Sequence, residues 1–187
     1  GNWPASTKVG TAFGTQTAAI GAGGGPGSPP QFYDAANEYD GSSWTGIPAL
    51  NTARRSLNCM GSGTTTAGLV AGGYVEPPYS NASEEYNGSS WTTGGAIFTA
   101  TSQLAAAGSQ TSALAFGGYI PADTSVTLIY DGSAWSTQPN LPSGKRGMGG
   151  TGTTSAGLSF GGATNLSTTE EFTGQTTAVT AKTLTTG

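Results

Sequence analysis

The sequence predicts an all-β fold built from four repeats of about 45 residues, each a four-stranded antiparallel sheet. Three observations predict it. A glycine pair recurs as Gly23-Gly24, Gly72-Gly73, Gly117-Gly118 and Gly161-Gly162, its second member stepping by 49, 45 and 44 residues. The phrase EYDGSSW at 38–44 returns as EYNGSSW at 85–91 and as IYDGSAW at 129–135. The composition is the third: 32 glycines in 187 residues and only 9 % charged residues, yet 9 % aromatics at regular places. Disordered chains carry high net charge and few aromatics, so this placing argues for an ordered chain.

Turn chemistry divides each unit into strands a to d. Gly14-Thr15, Gly63-Thr64, Gly108-Ser109 and Gly152-Thr153 separate two short runs of small and apolar residues and read as a tight turn between strands a and b. Strand b alternates, with Ile20 and Ala22, Leu69 and Ala71, Leu114 and Phe116, Leu158 and Phe160 on one face. It stops at the glycine pair, where the backbone needs a φ that other residues resist. After a variable loop comes an aromatic in strand c: Tyr39, Tyr86, Tyr130 or Phe172. Asp40-Gly41, Asn87-Gly88, Asp131-Gly132 or Thr173-Gly174 follows as the c–d turn, and Trp44, Trp91 or Trp135 opens strand d. The units run approximately over 4–44, 45–91, 92–135 and 136–179 of a single domain spanning 1–187. The last unit departs from the pattern, with Phe172 for Tyr and Val179 at the Trp position. Trp3 stands too close to Gly14 to read as a repeat Trp.

This pattern of Gly-Gly closing the second strand, Tyr in the third and Trp in the fourth resembles the kelch repeat. Gly72, Gly73, Tyr86 and Trp91, with Gly117, Gly118, Tyr130 and Trp135, carry the resemblance most strongly. It implies a β-propeller with one blade per repeat, either a complete four-bladed ring or a piece of a larger one. An open solenoid of β-hairpins is the alternative for the same period. The chain begins at Gly1 without Met or a signal-peptide pattern and reads as a processed, tagged or truncated product of something longer.

The residue inventory excludes more chemistry than it offers. With no histidine, the commonest general base and metal ligand is missing, and imidazole-dependent triads are excluded. The copper site of galactose oxidase, a kelch relative, needs histidine and does not carry over. One cysteine, Cys59, supports neither a zinc site nor an internal disulfide and reads as a small buried hydrophobe. A net charge of −4 with six Lys and Arg leaves no basic stripe for nucleic acid or anionic lipid, and no run approaches a membrane span. Asp40 and Asp131 read as turn caps. Glu38, Glu84-Glu85 and Glu170-Glu171 read as solvated strand residues, Arg54-Arg55 and Lys145-Arg146 as solvated loop charges. The phrase DGSSW lacks the spacing of a sialidase Asp-box, and GAGGGPG at 21–27 lacks the Lys-Ser/Thr of a phosphate loop. Sequons at Asn81, Asn87 and Asn165 are weak in so Ser- and Thr-rich a chain. No catalytic, cofactor-binding or metal residue is assigned, and no cofactor is expected.

What varies on the repeated frame is the loop after Gly-Gly, and function usually lives in such loops. These loops combine prolines with Phe32, Tyr33, Tyr74, Tyr79 and Tyr119, and equivalent loops of a propeller emerge on one face. They are the candidate surface for a protein or glycan ligand; covering the blade ends or packing on a neighbouring subunit is the structural alternative. Low charge, Thr, Ser and Gly richness and the tandem spelling resemble kelch-like repeats of phage and marine-virus structural proteins, tail fibres among them. The resemblance implies a non-catalytic structural or receptor-binding module, an adhesin on a virion or outside a cell, acting with other virion or surface subunits in a larger assembly. An intracellular kelch adaptor and a carbohydrate-active enzyme domain are the alternatives.

Overall fold

A computed structural model describes residues 2–3, 10–26, 31–55, 61–76, 78–163 and 167–174 of the chain. Fifteen strands make up the regular structure of the described residues. The first sheet holds β1 (Thr11–Thr15), β2 (Ala18–Ala22), β3 (Ala36–Tyr39) and β4 (Trp44–Ile47). The second holds β5 (Gly61–Thr64), β6 (Ala67–Ala71), β7 (Ser83–Tyr86) and β8 (Trp91–Thr93). The third holds β9 (Ala105–Ser109), β10 (Ser112–Phe116), β11 (Thr127–Tyr130) and β12 (Trp135–Gln138). The fourth holds β13 (Gly149–Gly152), β14 (Ala156–Phe160) and β15 (Thr169–Thr173). Every pairing is antiparallel between consecutive strands, and β5 lies against β1, β9 against β5 and β13 against β9. The chain is thus a four-bladed β-propeller with its first strands innermost. Residues of all four inner strands line an axial cavity of about 230 Å³, Phe13, Gly63, Ala106 and Gly150 among them. The expected fourth strand of the last blade, with Val179, lies outside the described residues, as do Cys59 and Asn165.

The repeated phrase folds as a capped hairpin. Asp40 Oδ1 accepts hydrogen bonds from the backbone N–H of Ser42 and of Ser43, both at 2.8 Å, and Asp131 Oδ1 does the same for Ser133 and Ala134. Asn87 reproduces the cap at 2.9 Å, so the cap needs an Asx carbonyl oxygen and not a charge. The turn sets the register that makes Tyr39 and Trp44, Tyr86 and Trp91, and Tyr130 and Trp135 direct cross-strand partners. Their ring centroids lie 5.1, 5.0 and 4.9 Å apart at nearly the same tilt. The indoles then reach the preceding blade: Trp91 Nε1 donates to Pro48 O at 2.9 Å, and Trp135 Nε1 to Gly95 O at 2.9 Å. One short phrase therefore closes a hairpin and fastens it to its neighbour.

The first turn sits later than the sequence reading puts it. Gly14 lies inside β1 opposite Ala19, and the chain turns at Gln16-Thr17; Gly63 and Gly108 are likewise strand residues, and Gly152 closes β13. Gly14 has φ of 117°, and a Cβ there would land on the Ala18 carbonyl, so the glycine serves the close approach of two strands before the turn. In GAGGGPG, Gly21 and Ala22 end β2, and Gly27 lies outside the described residues.

Strand b is where the blades meet. Ile20 and Ala22 join Val70, Tyr86 and Trp91 between blades 1 and 2. Leu69 and Ala71 join Leu128, Tyr130 and Trp135 between blades 2 and 3, and Leu114 and Phe116 join Met148 and Phe172 between blades 3 and 4. Burying each large apolar side chain contributes about 1.5–3 kcal/mol, so these three seams hold the propeller. Blade 4 departs from the expected pattern: Leu158 is half-buried and Phe160 is 46 % exposed, because among the described residues no further blade covers them. At the other end Trp3 lies edge-on to Trp44, 4.7 Å between centroids, and over Gly21. It is a cover for blade 1 and not a repeat Trp.

Candidate binding site: an aromatic and arginine belt

The glycine pairs hold the b–c loops in place. Gly23 and Gly24, Gly72 and Gly73, Gly117 and Gly118, and Gly161 and Gly162 all have positive φ. The second glycine donates to the linker that leads into the next blade: Gly24 N to Arg54 O, Gly73 N to Thr101 O and Gly118 N to Lys145 O, at 2.7–2.9 Å. The next residue doubles the clamp. Tyr74 and Arg55 exchange backbone hydrogen bonds of 2.7 and 3.0 Å, and Tyr119 and Ser102 exchange bonds of 2.7 and 2.9 Å. Tyr74 and Tyr119 are therefore pinned at equivalent positions of adjacent blades, at the same end of the propeller.

Four of the five predicted rings come together. Phe32 stacks on Tyr74 at 5.8 Å, Tyr74 meets Tyr79 edge-on at 5.7 Å, and Tyr79 meets Tyr119 edge-on at 6.1 Å. The run crosses blades 1, 2 and 3, and every ring in it is half-buried, with surface left to offer. Tyr33 is also half-buried, but it contributes backbone bonds to Gly24 and Arg54 and makes no ring contact with the run. Two cations complete the belt: the Arg55 guanidinium lies 5.2 Å from the Phe32 ring and 5.0 Å from Tyr74, and Arg146 lies 4.5 Å from Tyr119. Asp123 accepts from Arg146 Nη1 at 2.8 Å and holds it over that ring. Partial desolvation holds the Tyr79 phenol above its ordinary value, with Tyr119 and Tyr74 adding to it.

The neighbouring basic residues correct the sequence reading. Arg54 is 0 % exposed: its Nη2 donates to Glu84 Oε1 at 2.7 Å, its Nη1 to Gly72 O and Ala82 O at 2.8 and 3.0 Å. Lys145 is buried as well, paired with Glu170 and bonded to Thr168 Oγ1. So Arg54, Lys145, Glu84 and Glu170 are not solvated; each pair locks a linker onto the blade that follows it. The reason is positional, since both cations stand ten residues after a repeat Trp and both acids two before a repeat aromatic. Glu38 and Glu85 are half-buried, and of this group Glu171 alone is exposed. Arg55 and Arg146, the second members of each basic pair, are the ones that reach the belt.

The remaining acids near the repeated phrase have structural partners. Backbone and serine donors hold the Asp40 carboxyl well below the usual carboxylate range and lower that of Asp131. Glu85 accepts from the Tyr130 hydroxyl, and burial with that hydrogen bond pushes the phenol up to about 12. Among the described residues no three acidic or sulfur side chains gather as a metal-ligand set. The arrangement can bind by stacking, cation–π contact and charged hydrogen bonds. No model of a known protein family matches the chain, and no curated protein is significantly similar to it.

Proposed function

We propose that this chain is a non-catalytic recognition module that engages a protein partner through the belt of Phe32, Arg55, Tyr74, Tyr79, Tyr119 and Arg146. The observation that carries the reading is that loops of three blades, separated by up to 87 residues in sequence, build one continuous run of half-buried rings flanked by arginines. Tyr and Arg are the residues that dominate protein interfaces, and rings already fixed by backbone clamps lose little entropy on binding. Low charge, Thr, Ser and Gly richness and the kelch-like spelling of the repeats support a place on a virion appendage or another extracellular surface, within a larger assembly.

A displayed random-peptide library panned on the chain, with counter-selection on Tyr79→Ala, tests the belt. Enriched peptides should bind the wild type and lose at least about tenfold in affinity on the variant, about 1.4 kcal/mol. Peptides that bind both equally would place recognition elsewhere, and oligosaccharides that compete them off would assign the belt to glycans. Antibody labelling of intact particles or unpermeabilised cells tests the location.

A further inference from the structure

Blade 3 lacks the buried charge pair of blades 2 and 4, and a pocket stands in its place. The position that is Arg54 before blade 2 and Lys145 before blade 4 is Thr101 before blade 3, and the position of Glu84 and Glu170 is Leu128. Both charges are lost together, which leaves neither one buried and unpaired. The vacated space is a cavity of about 220 Å³ lined by Phe98, Thr99, Thr101, Val126 and Leu128, with Ile120, Thr124 and Thr137 around it. The hollow beside Glu170 in blade 4 measures about 10 Å³. Phe98 is 64 % exposed, so an uncovered ring stands at the pocket.

The backbone of the pocket carries a second signal. In blade 2, Glu84 accepts from the N–H groups of Asn51 and Thr52 at 2.6 and 3.1 Å. Phe98 and Thr99 are the corresponding residues of the linker before blade 3, seven and eight after Trp91 as Asn51 and Thr52 are after Trp44. Leu128 offers them no oxygen, and among the described residues neither N–H has a partner. By the geometry of blade 2 these two donors are directed at the pocket, where Leu128 supplies no acceptor. With Thr101 in place of Arg54 there is no cation to offset a buried carboxylate, so a neutral carbonyl suits the site better.

We propose that this pocket binds the acetamido group of an N-acetylated sugar. The carbonyl oxygen accepts from Phe98 and Thr99 N–H, the methyl group rests on Val126 and Leu128, and the apolar face of the sugar ring lies against Phe98. The walls are aliphatic, aromatic and hydroxyl-bearing without a charged side chain, which matches a neutral glycan. The site shares no side chain with the belt, although Ile120 and Thr124 belong to the loop that carries Tyr119, and it does not depend on the belt's reading.

The test is a titration of the isotopically labelled full chain with triacetylchitotriose, followed by amide NMR. The Phe98 and Thr99 amides should shift with a millimolar or tighter Kd, and cellotriose and deacetylated chitotriose should bind at least about tenfold more weakly. Phe98→Ala should weaken binding at least about fivefold, and Thr101→Arg with Leu128→Glu, which restores the charge pair, should abolish it. Tyr79→Ala should leave it unchanged, which separates this site from the belt. No shift at about 10 mM sugar, equal binding of cellotriose, or shifts confined to other amides would overturn the proposal. Should the double variant fail to fold, Phe98→Ala and the deacetylated sugar still decide.

Discussion

Glu84→Leu should be among the most damaging single substitutions in this chain, although leucine is what blade 3 carries at the same position. The substitution leaves the Arg54 guanidinium 0 % exposed with only the carbonyls of Thr52, Gly72 and Ala82 as partners, and it strips Asn51 and Thr52 N–H of theirs. Removing one partner of a buried ion pair costs about 3–5 kcal/mol. For a chain of this size that lowers Tm by about 6–20 °C. The double variant Arg54→Thr with Glu84→Leu transplants the blade 3 solution; it removes the stranded charge and should recover most of the loss. Urea titrations of wild type, both single variants and the double variant form a complete cycle, provided the m-value stays constant. A single-variant cost below about 1 kcal/mol, or a double variant no better than Glu84→Leu, would refute the reasoning that the pair locks linker to blade.

Other outcomes follow from the same geometry. Asp40 and Asp131 are capped carboxylates with depressed pKa, so the stability they supply is present above about pH 4 and is lost as pH falls through their folded values; Asp40→Asn with Asp131→Asn should flatten that acid limb, as measured by chemical denaturation across pH. Tyr130, raised to about 12, contributes stability below about pH 10 that fades as pH climbs towards 12, and ultraviolet titration of Glu85→Gln should show this phenol ionising earlier. Gly117→Ala, with φ of 57° and a Cβ that would land on Lys145 O, should cost about 2–4 kcal/mol, whereas Gly46→Ala, which meets only Asn37 Oδ1 at 3.9 Å, should stay within about 1 kcal/mol in thermal melts.

The sequence made legible whatever is encoded locally. Gly-Gly, Asp-Gly and the Tyr–Trp phrase act within a few residues, so their period exposed the four blades, the hairpin and the loops that bear the belt. What stayed hidden depends on partners far along the chain. Arg54 lies 30 residues from Glu84 and Lys145 lies 25 from Glu170, so each read as a solvated charge. A signal was present: aligned on the Trp, the repeats carry Arg with Glu, Lys with Glu, and Thr with Leu, and a charge never changes at one position alone. The same alignment marks the blade 3 pocket. Gly14 misled because turn glycines and close-approach glycines look alike until φ and the facing carbonyl are known. Phe32, Tyr74, Tyr79 and Tyr119 were placed on the right loops, but that Arg55 and Arg146 would join them depends on the linker pairing with Tyr74 and Tyr119, which no short pattern reveals.

Whether the belt is the surface that takes a partner is decided by hydrogen exchange measured with and without a peptide selected on the chain. New protection is expected around 31–34, 74–76, 79–80 and 119–124, with little change at the a–b turns of the opposite end. Protection confined to those turns or to the outer strands, with the belt unchanged, would contradict it.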